Sequence, residues 1–258
     1  TKLSHEIETY DGATAGSKAL WAWVKVPTLA TATDTVLYLY YGNASATSQQ
    51  DVANVWSNGF LGVTHLTEQN SGAAGGSALY KNSKTNTLQG DDFVTDTAKD
   101  GKIGSGQAFN RTANDRIRLD EVTWPGDPES VSLWVKPHGF GGSRTMVGSG
   151  WGEFILSLPY YDSGNSLNVS RNGEQCTSGS NLFSQDTWYY VTFSADASGV
   201  YSVRVNNSVW ISCTKATVAN GSNPTYIGTS RALNDGFDGN VDEVRMSNVA
   251  RSADWIAT

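Results

Sequence analysis

Residues 188–210, WYYVTFSADASGVYSVRVNNSVW, contain the pattern that decides the fold. The segments WYYVTFSAD and YSVRVNNSVW are rich in aromatic and β-branched residues, which favour strands. The short Ala-Ser-Gly stretch between them has the small residues typical of a turn. The pattern therefore predicts two neighbouring antiparallel strands.

Strand-type segments recur at short spacing from Gly106 to the end of the chain. Regularly spaced strands with turn residues between them predict an all-β fold, an antiparallel β-sandwich or jelly roll, rather than a parallel α/β fold. The one predicted helix is the closing RSADWIA, with Ser252 as its N-cap. The other segments are QAFNRT, DRIRLD, SVSLWVKP, RTMVGSG, EFILSLPY, SLNVSRNG, PTYIGTS and GNVDEVRMS.

The N-terminal segment is also β-rich, with strand signals at residues 21–26 and 36–41, each ended by Pro or Gly. Two or three strands are too few for a stable domain, so this segment must pack on something else or lack a partner. We predict a partial β-rich domain over residues 1–56 and a sandwich over residues 57–258. The polar region 68–102 is either a linker with mobile loops or one irregular excursion within the sandwich.

The charge of the chain limits its partners. The 258 residues have a formal net charge of -7 and a pI of about 4.9, so the molecule repels polyphosphates and anionic membranes and no nucleic acid partner is expected. No apolar run approaches the roughly 20 residues of a membrane span, so no membrane insertion is expected. The N-terminal residues lack signal-peptide features, which favours a processing or cloning boundary at the first residue.

The two cysteines, Cys176 and Cys213, are outside any CxxC or Cys/His pattern typical of a zinc site. A disulfide between them fits the secreted character of the chain, because disulfides persist in oxidising compartments. Two separate buried thiols are the alternative.

Several segments resemble the laminin-G-like, or concanavalin A-like, domains of secreted microbial proteins, in the order that this family keeps. They cover about residues 58–258. Residues 1–50 resemble the second half of an uncharacterised β-rich domain that commonly precedes such domains, through LSHEIETYD, WAWVKVPTL and TDTVLYLYYGNASA. The resemblance implies two stacked antiparallel sheets, carbohydrate or protein binding, and frequently a structural Ca²⁺. The segments are FLGVTHLTE, GKIGSGQAFN, SVSLWVKP, DTWYYVTFSAD, YSVRVNNS, PTYIGTS and FDGNVDEVRMSNVARSADWIA.

The same resemblance implies a candidate Ca²⁺ site. Asp242 matches an acidic residue that the closing strand of the family brings against the opening strand, where Glu68 lies, and Asn82 roughly aligns with a family Asp. Two carboxylates and an amide supply the oxygen ligands that Ca²⁺ takes. The alternative is that Asp242 or Glu243 pairs with a surface cation such as Arg245.

Aromatic residues in predicted loops are the candidate sugar-binding residues, because a ring face can stack on a pyranose while neighbouring polar groups bind its hydroxyls. These residues are Trp124, Trp151, Tyr160 and Tyr161. The alternative is that they form hydrophobic lids over the edge of the sandwich. Aromatic residues at strand positions are predicted to be core residues: Trp134, Trp188 and Tyr190.

The sequence has no catalytic pattern. Asp242 and Glu243 are adjacent, so a regular strand would point them to opposite faces, and the Glu-x-Asp-x-x-Glu motif of the related β-glucanases has no match. We expect a secreted, non-enzymatic binding or adhesion module for a glycan or cell-surface ligand. One alternative is a structural subunit of a fibre, pilus or surface layer that self-assembles through its N-terminal strands. The other is a polysaccharide-degrading enzyme, which needs two carboxyl groups flanking the scissile bond.

Overall fold

Strands form almost all of the regular structure, as the alternating sequence predicts. The structure is a computed structural model that describes residues 1–12, 19–30, 32–142, 144–150, 152–158, 166–179 and 182–257. It divides into two units, Thr1–Asn58 and Gly59–Thr258. No helix among the described residues is long and apolar enough to span a membrane.

The first unit has β1 (His5–Asp11), β2 (Ala19–Val24) and α1 (Val52–Val55). The second unit has β3 (Phe60–Thr64), β4 (Ala78–Asn82), β5 (Thr87–Phe93), β6 (Gln107–Phe109), β7 (Arg116–Thr123), β8 (Glu129–Pro137), β9 (Arg144–Gly148), β10 (Ile155–Leu158), β11 (Asn168–Arg171), β12 (Glu174–Thr177), β13 (Tyr189–Ala195), β14 (Val200–Val205), β15 (Ser208–Thr214), β16 (Pro224–Ile227), β17 (Gly239–Ser247) and α2 (Ala253–Ala257).

The second unit is an antiparallel β-sandwich, which confirms the predicted fold class. Within the described residues, one sheet has eight strands in the order β12-β11-β10-β9-β16-β7-β5-β4. The other has seven, β15-β14-β13-β8-β17-β3 with β6 paired to β17. Neighbouring strands pair in the antiparallel sense throughout, as β13 does with both β8 and β14.

The core lies between the two sheets because strand residues alternate in direction. Leu133 of β8 and Val191 and Phe193 of β13 are fully buried, and they join a cluster that includes Leu119 of β7 and Leu156 of β10. Complete burial of such a side chain contributes about 1.5–3 kcal/mol. The packing of these alternating residues therefore fixes which face of each strand points outward.

One strand prediction in the second unit was wrong. The segment YSVRVNNSVW is not one strand but the hairpin β14–β15, because Asn206 and Asn207 both have positive φ angles, 47° and 69°, as a two-residue hairpin turn requires. Of the two alternatives for the region 68–102, the structure supports the one within the sandwich and not the linker, since this region contains β4 and β5 of the eight-stranded sheet. The closing helix is confirmed, with the Trp255 amide donating to the Ser252 hydroxyl at 3.2 Å.

The first unit is built on the β1–β2 hairpin, whose register runs from His5 opposite Val24 to Asp11 opposite Ala19. The indole of Trp56 donates to the Glu6 carboxylate at 2.6 Å. The strand predicted at residues 36–41 is not formed: this segment pairs with no strand of the described residues, and its large side chains are exposed.

The predicted disulfide is confirmed, since Cys176 and Cys213 are bonded to each other. Cys176 lies on β12 and Cys213 on β15, the edge strands of the two sheets. The bond therefore links the sheets along one side of the sandwich.

Candidate functional site

A groove of about 440 Å³ is the candidate functional site of the second unit. Its volume is in the range of about 300–1,000 Å³ that is common for small-ligand sites. The groove is formed by the end of β7, the β7–β8 connection, the loop before β16, Leu61 of β3 and Asn248 directly after β17. Its exposed polar side chains are Glu121, Thr123, Asn220 and Asn248. Sequence reasoning missed all four.

Backbone hydrogen bonds join the two loops that form the groove. The Asp127 amide donates to the Val218 carbonyl at 2.9 Å, and the Val218 amide donates back to the Asp127 carboxylate at 2.9 Å. The Gly221 amide donates to the Trp124 carbonyl at 2.8 Å. Gly126 has a φ of 74°, and a Cβ at this residue would lie 2.6 Å from the Val218 carbonyl oxygen. The approach of the loops therefore requires glycine here.

The buried side chain of Arg171 holds the β7–β8 connection in place. Arg171 of β11 donates from Nη1 to the Asp127 carboxylate at 2.6 Å and also to Glu129 of β8. Its Nε donates to the Glu153 carbonyl at 3.4 Å. Burial lowers the pKa of Arg171, and the charge of Asp127 opposes this effect. Arg171 is therefore a positioning residue that ties the β7–β8 connection to both sheets.

Glu153 holds the loop before β16 in place in a similar way. Its Oε1 accepts hydrogen bonds from the Ser222 amide at 2.9 Å, the Asn223 amide at 3.2 Å and the Asn223 side chain at 2.7 Å. Because these contacts hold the backbone after Asn220, the exposed Asn220 side chain projects from a fixed loop.

Trp124 lines the groove, but it does not offer a ring face to a ligand. Only 1% of its surface is exposed, and its ring is stacked on Phe154 at a centroid distance of 3.8 Å. Its indole N–H has no hydrogen-bond partner among the described residues. The structure therefore supports the alternative interpretation of Trp124 as a buried residue. Trp151, Tyr160 and Tyr161 lie outside the described residues.

Of the aromatic residues predicted to be core, Trp134 of β8 and Tyr190 of β13 lie instead on the outer face of the seven-stranded sheet, and Trp188 lies directly before β13. Trp134 and Tyr190 are half-buried neighbours at 5.1 Å between ring centroids, and the Lys102 ammonium lies 5.1 Å from the Trp134 ring. Trp188 is half-buried too, with the Lys136 ammonium 5.5 Å from its ring. Trp134 alternates with the inward Leu133, so strand periodicity could have placed it correctly.

The residues proposed as Ca²⁺ ligands already bind backbone amides. Asp242 is fully buried, and its Oδ2 accepts from the Lys102 and Ile103 amides, both at 2.8 Å. The Asn82 oxygen accepts from the Val63 amide at 3.1 Å and from the Lys84 amide at 3.0 Å, which uses both lone pairs. The Asn82 oxygen is therefore unavailable to a Ca²⁺ ion, and one of the two Asp242 carboxylate oxygens is already engaged.

The third proposed ligand, Glu68, accepts from the Lys81 amide at 2.9 Å through Oε1. Both Glu68 and Asp242 act electrostatically on the ammonium of Lys99, as Asp92 does. The positive charge of Lys99 therefore acts on two of the three proposed ligands, and the calcium site stays a prediction.

Glu243 is engaged in a buried ion-pair network. It lies in a bulge of β17, with a φ of 55°, so the regular alternation assumed for Asp242 and Glu243 is not kept. Its carboxylate is 2.7 Å from His65 Nδ1 and accepts from Arg245 at 2.8 Å. Burial alone would raise the pKa of Glu243, but the charges of His65 and Arg245 outweigh it and hold this pKa below its ordinary value.

Two family models match the chain. The model described as the concanavalin A-like lectin/glucanases superfamily matches residues 110–257, which is more than half of the chain. A domain of unknown function, DUF2341, matches residues 1–74. No curated protein matches the sequence.

Several solved structures share the fold. Domain 4 of AbnA, an extracellular GH43 arabinanase from Geobacillus stearothermophilus solved in complex with arabinotriose, is 20% identical with a TM-score of 0.59, over 77% of this chain and 96% of that chain. The receptor-binding domain of botulinum neurotoxin type G is 13% identical with a TM-score of 0.55, over 78% and 50%. Trypanosoma rangeli sialidase is 14% identical with a TM-score of 0.52, over 78% and 32%. At these identities the likeness shows the fold alone.

Proposed function

This chain belongs to the concanavalin A-like lectin/glucanases superfamily, and we propose that it is a non-catalytic, extracellular module that binds a glycan in the groove described above. The ligand-sized groove with its exposed carboxylate, hydroxyl and amide groups carries this proposal. The complex of AbnA domain 4 with arabinotriose gives support from a protein of the same fold. The disulfide is consistent with an oxidising, extracellular location.

The groove has the mixture of groups that suits a sugar. Glu121, Asn220 and Asn248 offer hydrogen-bonding groups for hydroxyls, and Pro125 and Pro128 add apolar surface. The loop contacts of Gly126 and Arg171 exist before any ligand binds. A preformed site loses less conformational entropy on binding, so rigid loops favour affinity.

The ionic contacts of the acidic residues support a binding role over a catalytic one. Glycoside hydrolysis needs two available carboxyl groups on either side of the scissile bond. Asp127 lines the groove, but its carboxylate is 1% exposed and is paired with Arg171. Glu121 is the other acid among the described lining residues. Glycoside hydrolysis needs two available carboxyl groups, and Glu121 lacks a second one to act with because Asp127 is paired with Arg171.

Glycan screening followed by calorimetry of Glu121→Ala and Asn220→Ala tests this function. We expect each variant to bind the selected glycan about five- to tenfold more weakly, since removal of one good hydrogen bond costs about 1–1.5 kcal/mol. Arg204→Ala, on β14 and not among the lining residues, is the matched control and should bind like the wild type. Absence of any glycan ligand, or unchanged affinity in both groove variants, would refute the proposal.

A second candidate function is self-assembly through the first unit. The exposed segment 36–41, VLYLYY, contains Tyr38, Leu39 and Tyr40 with exposures of 79%, 70% and 90%. Its residues have high strand propensity, and a contiguous exposed apolar segment marks an interaction site. We infer that this segment can add as a strand to another copy of the chain.

Sedimentation velocity over a range of protein concentrations tests assembly. The wild type should associate as concentration rises, and Tyr40→Asp should remain monomeric because a buried charge opposes strand pairing. Leu88→Asp, a substitution of an exposed leucine on β5, controls for the added charge. A wild type that stays monomeric at every concentration would exclude this candidate and leave the glycan-binding proposal intact.

A further inference from the structure

Lys99 places a positive charge among oxygen atoms inside the second unit. It lies in the connection between β5 and β6, and its Nζ donates to the Leu66 carbonyl at 2.6 Å and to Gln107 Oε1 at 2.9 Å. The Tyr80 ring lies 5.7 Å from the ammonium. These contacts are separate from the groove.

The two oxygen partners of Lys99 are fixed by the surrounding fold. Gln107 is fully buried, and its Nε2 donates to the carbonyls of Asp96 at 2.7 Å and Ala108 at 2.8 Å. These bonds orient Oε1, which accepts from Lys99 and also from the Tyr80 hydroxyl at 3.0 Å. Leu66 is also fully buried and has a φ of 63°, a left-handed conformation that is uncommon for leucine. The structure therefore maintains both acceptors around the ammonium.

Three carboxylates provide the opposing charge. Burial lowers the pKa of Lys99 to about 8, and attraction by Glu68, Asp92 and Asp242 limits this decrease. Lys99 is therefore still largely protonated at pH 7. A carbonyl, an amide oxygen and three nearby carboxylates are the surroundings that a hard cation such as Ca²⁺ prefers.

We propose that the ammonium of Lys99 is the resident cation of this oxygen-rich region and takes the place of a Ca²⁺ ion. The stability of the wild type is then independent of Ca²⁺, although Glu68 and Asp242 are near the charge. Removal of the ammonium leaves an acidic, oxygen-lined vacancy that binds a divalent cation. This inference does not rest on the proposed glycan binding.

Thermal unfolding of the full chain in CaCl₂ and in EDTA tests the inference. The Tm of the wild type should be the same in both, within about 1 °C. In EDTA, Lys99→Ala should unfold at a lower temperature than the wild type, because the carboxylates lose their counter-charge. Calcium should raise the Tm of this variant by at least about 3 °C, since a ligand that binds only the native state stabilises it.

Lys84→Ala is the matched control, because Lys84 donates only its backbone amide to the Asn82 side chain, and its Tm should not respond to Ca²⁺. Lys99→Gln is the second variant in case Lys99→Ala does not fold, and calorimetric titration with CaCl₂ should show binding to it. A Ca²⁺-dependent rise in the wild type would overturn the inference. A lack of Ca²⁺ response in the folded Lys99 variants would overturn it as well.

Discussion

Glu243 combines an uncommon backbone conformation with a buried charge. Its φ of 55° and its 1% exposure are tolerated because both carboxylate oxygens are bound, one by His65 and the other by Arg245. A positive φ in a non-glycine residue costs about 1–3 kcal/mol. The ion-pair network therefore stabilises a bulge whose backbone conformation is unfavourable for a non-glycine residue such as Glu243.

The lowered pKa of Glu243 predicts its effect on acid stability. A carboxyl group with a folded-state pKa below its unfolded value contributes stability above the unfolded pKa and loses it as pH falls through the folded pKa. The ordinary value is 4.5, so this loss occurs below about pH 4.5. In urea unfolding at a series of pH values, we expect Glu243→Gln to be less stable by about 3 kcal/mol at pH 7 and to show a shallower decline below pH 4.5.

Glu174→Gln is the control for this experiment, because Glu174 forms only an exposed ion pair with Lys215 at 3.6 Å, and such pairs contribute little. Equal slopes below pH 4.5 for the wild type and Glu243→Gln would contradict the assignment of this acid-sensitive contribution to Glu243.

Single residues of the groove and of the region around Lys99 were the hardest to predict from sequence. Trp124 stands between turn residues and looks like a loop aromatic, but its burial depends on Phe154, 30 positions away in the chain. The role of Lys99 depends on Leu66 and Gln107, which only the folded sheets bring to it. The local sequence shows which chemical groups are present. The burial of a side chain and its hydrogen-bond partners depend on residues that are distant in the chain.

At the scale of elements, the contact between β8 and β11 through Arg171 predicts a large loss of stability on substitution. The side chains of Arg171 and Glu129 are fully buried, and that of Asp127 is 1% exposed. Arg171→Ala would leave two buried carboxylates without their partner, so we expect about 3–5 kcal/mol lower stability in urea unfolding. Arg204→Ala on β14 is the control, because Arg204 donates only to the Asn207 carbonyl. A loss below about 1 kcal/mol for Arg171→Ala would show that the ion pairs do not stabilise the fold.

Most strands of the sandwich could be predicted because their alternation follows directly from which face is buried. β14 and β16 keep this pattern, whereas the bulge at Glu243 breaks it in β17. The segment 36–41 has the same composition but pairs with no described strand. A high strand propensity shows only that the side chains suit a strand. To form a strand, the segment must also pair with the edge of another strand, and its own sequence does not show whether such an edge is present.

At the scale of the whole second unit, the disulfide and the core hold the two sheets together in different ways. The core buries apolar surface in the native state, whereas the bond between Cys176 and Cys213 restricts the unfolded chain. Its contribution therefore depends on the 37-residue separation of the two cysteines. For this separation, the chain-entropy relation gives a stabilisation of about 4 kcal/mol.

The double substitution Cys176→Ala with Cys213→Ala should therefore lower the free energy of unfolding by about 4 kcal/mol in urea. The wild type in reducing agent should show a similar loss, because reduction removes the same constraint without changing the sequence. Cys213 is half-buried and Cys176 is 7% exposed, so the alanines also remove some packing, which the reduced wild type retains. If reduced wild type is as stable as oxidised protein while the double variant is not, packing of the two sulfurs, and not the covalent link between the sheet edges, is what stabilises this side of the sandwich.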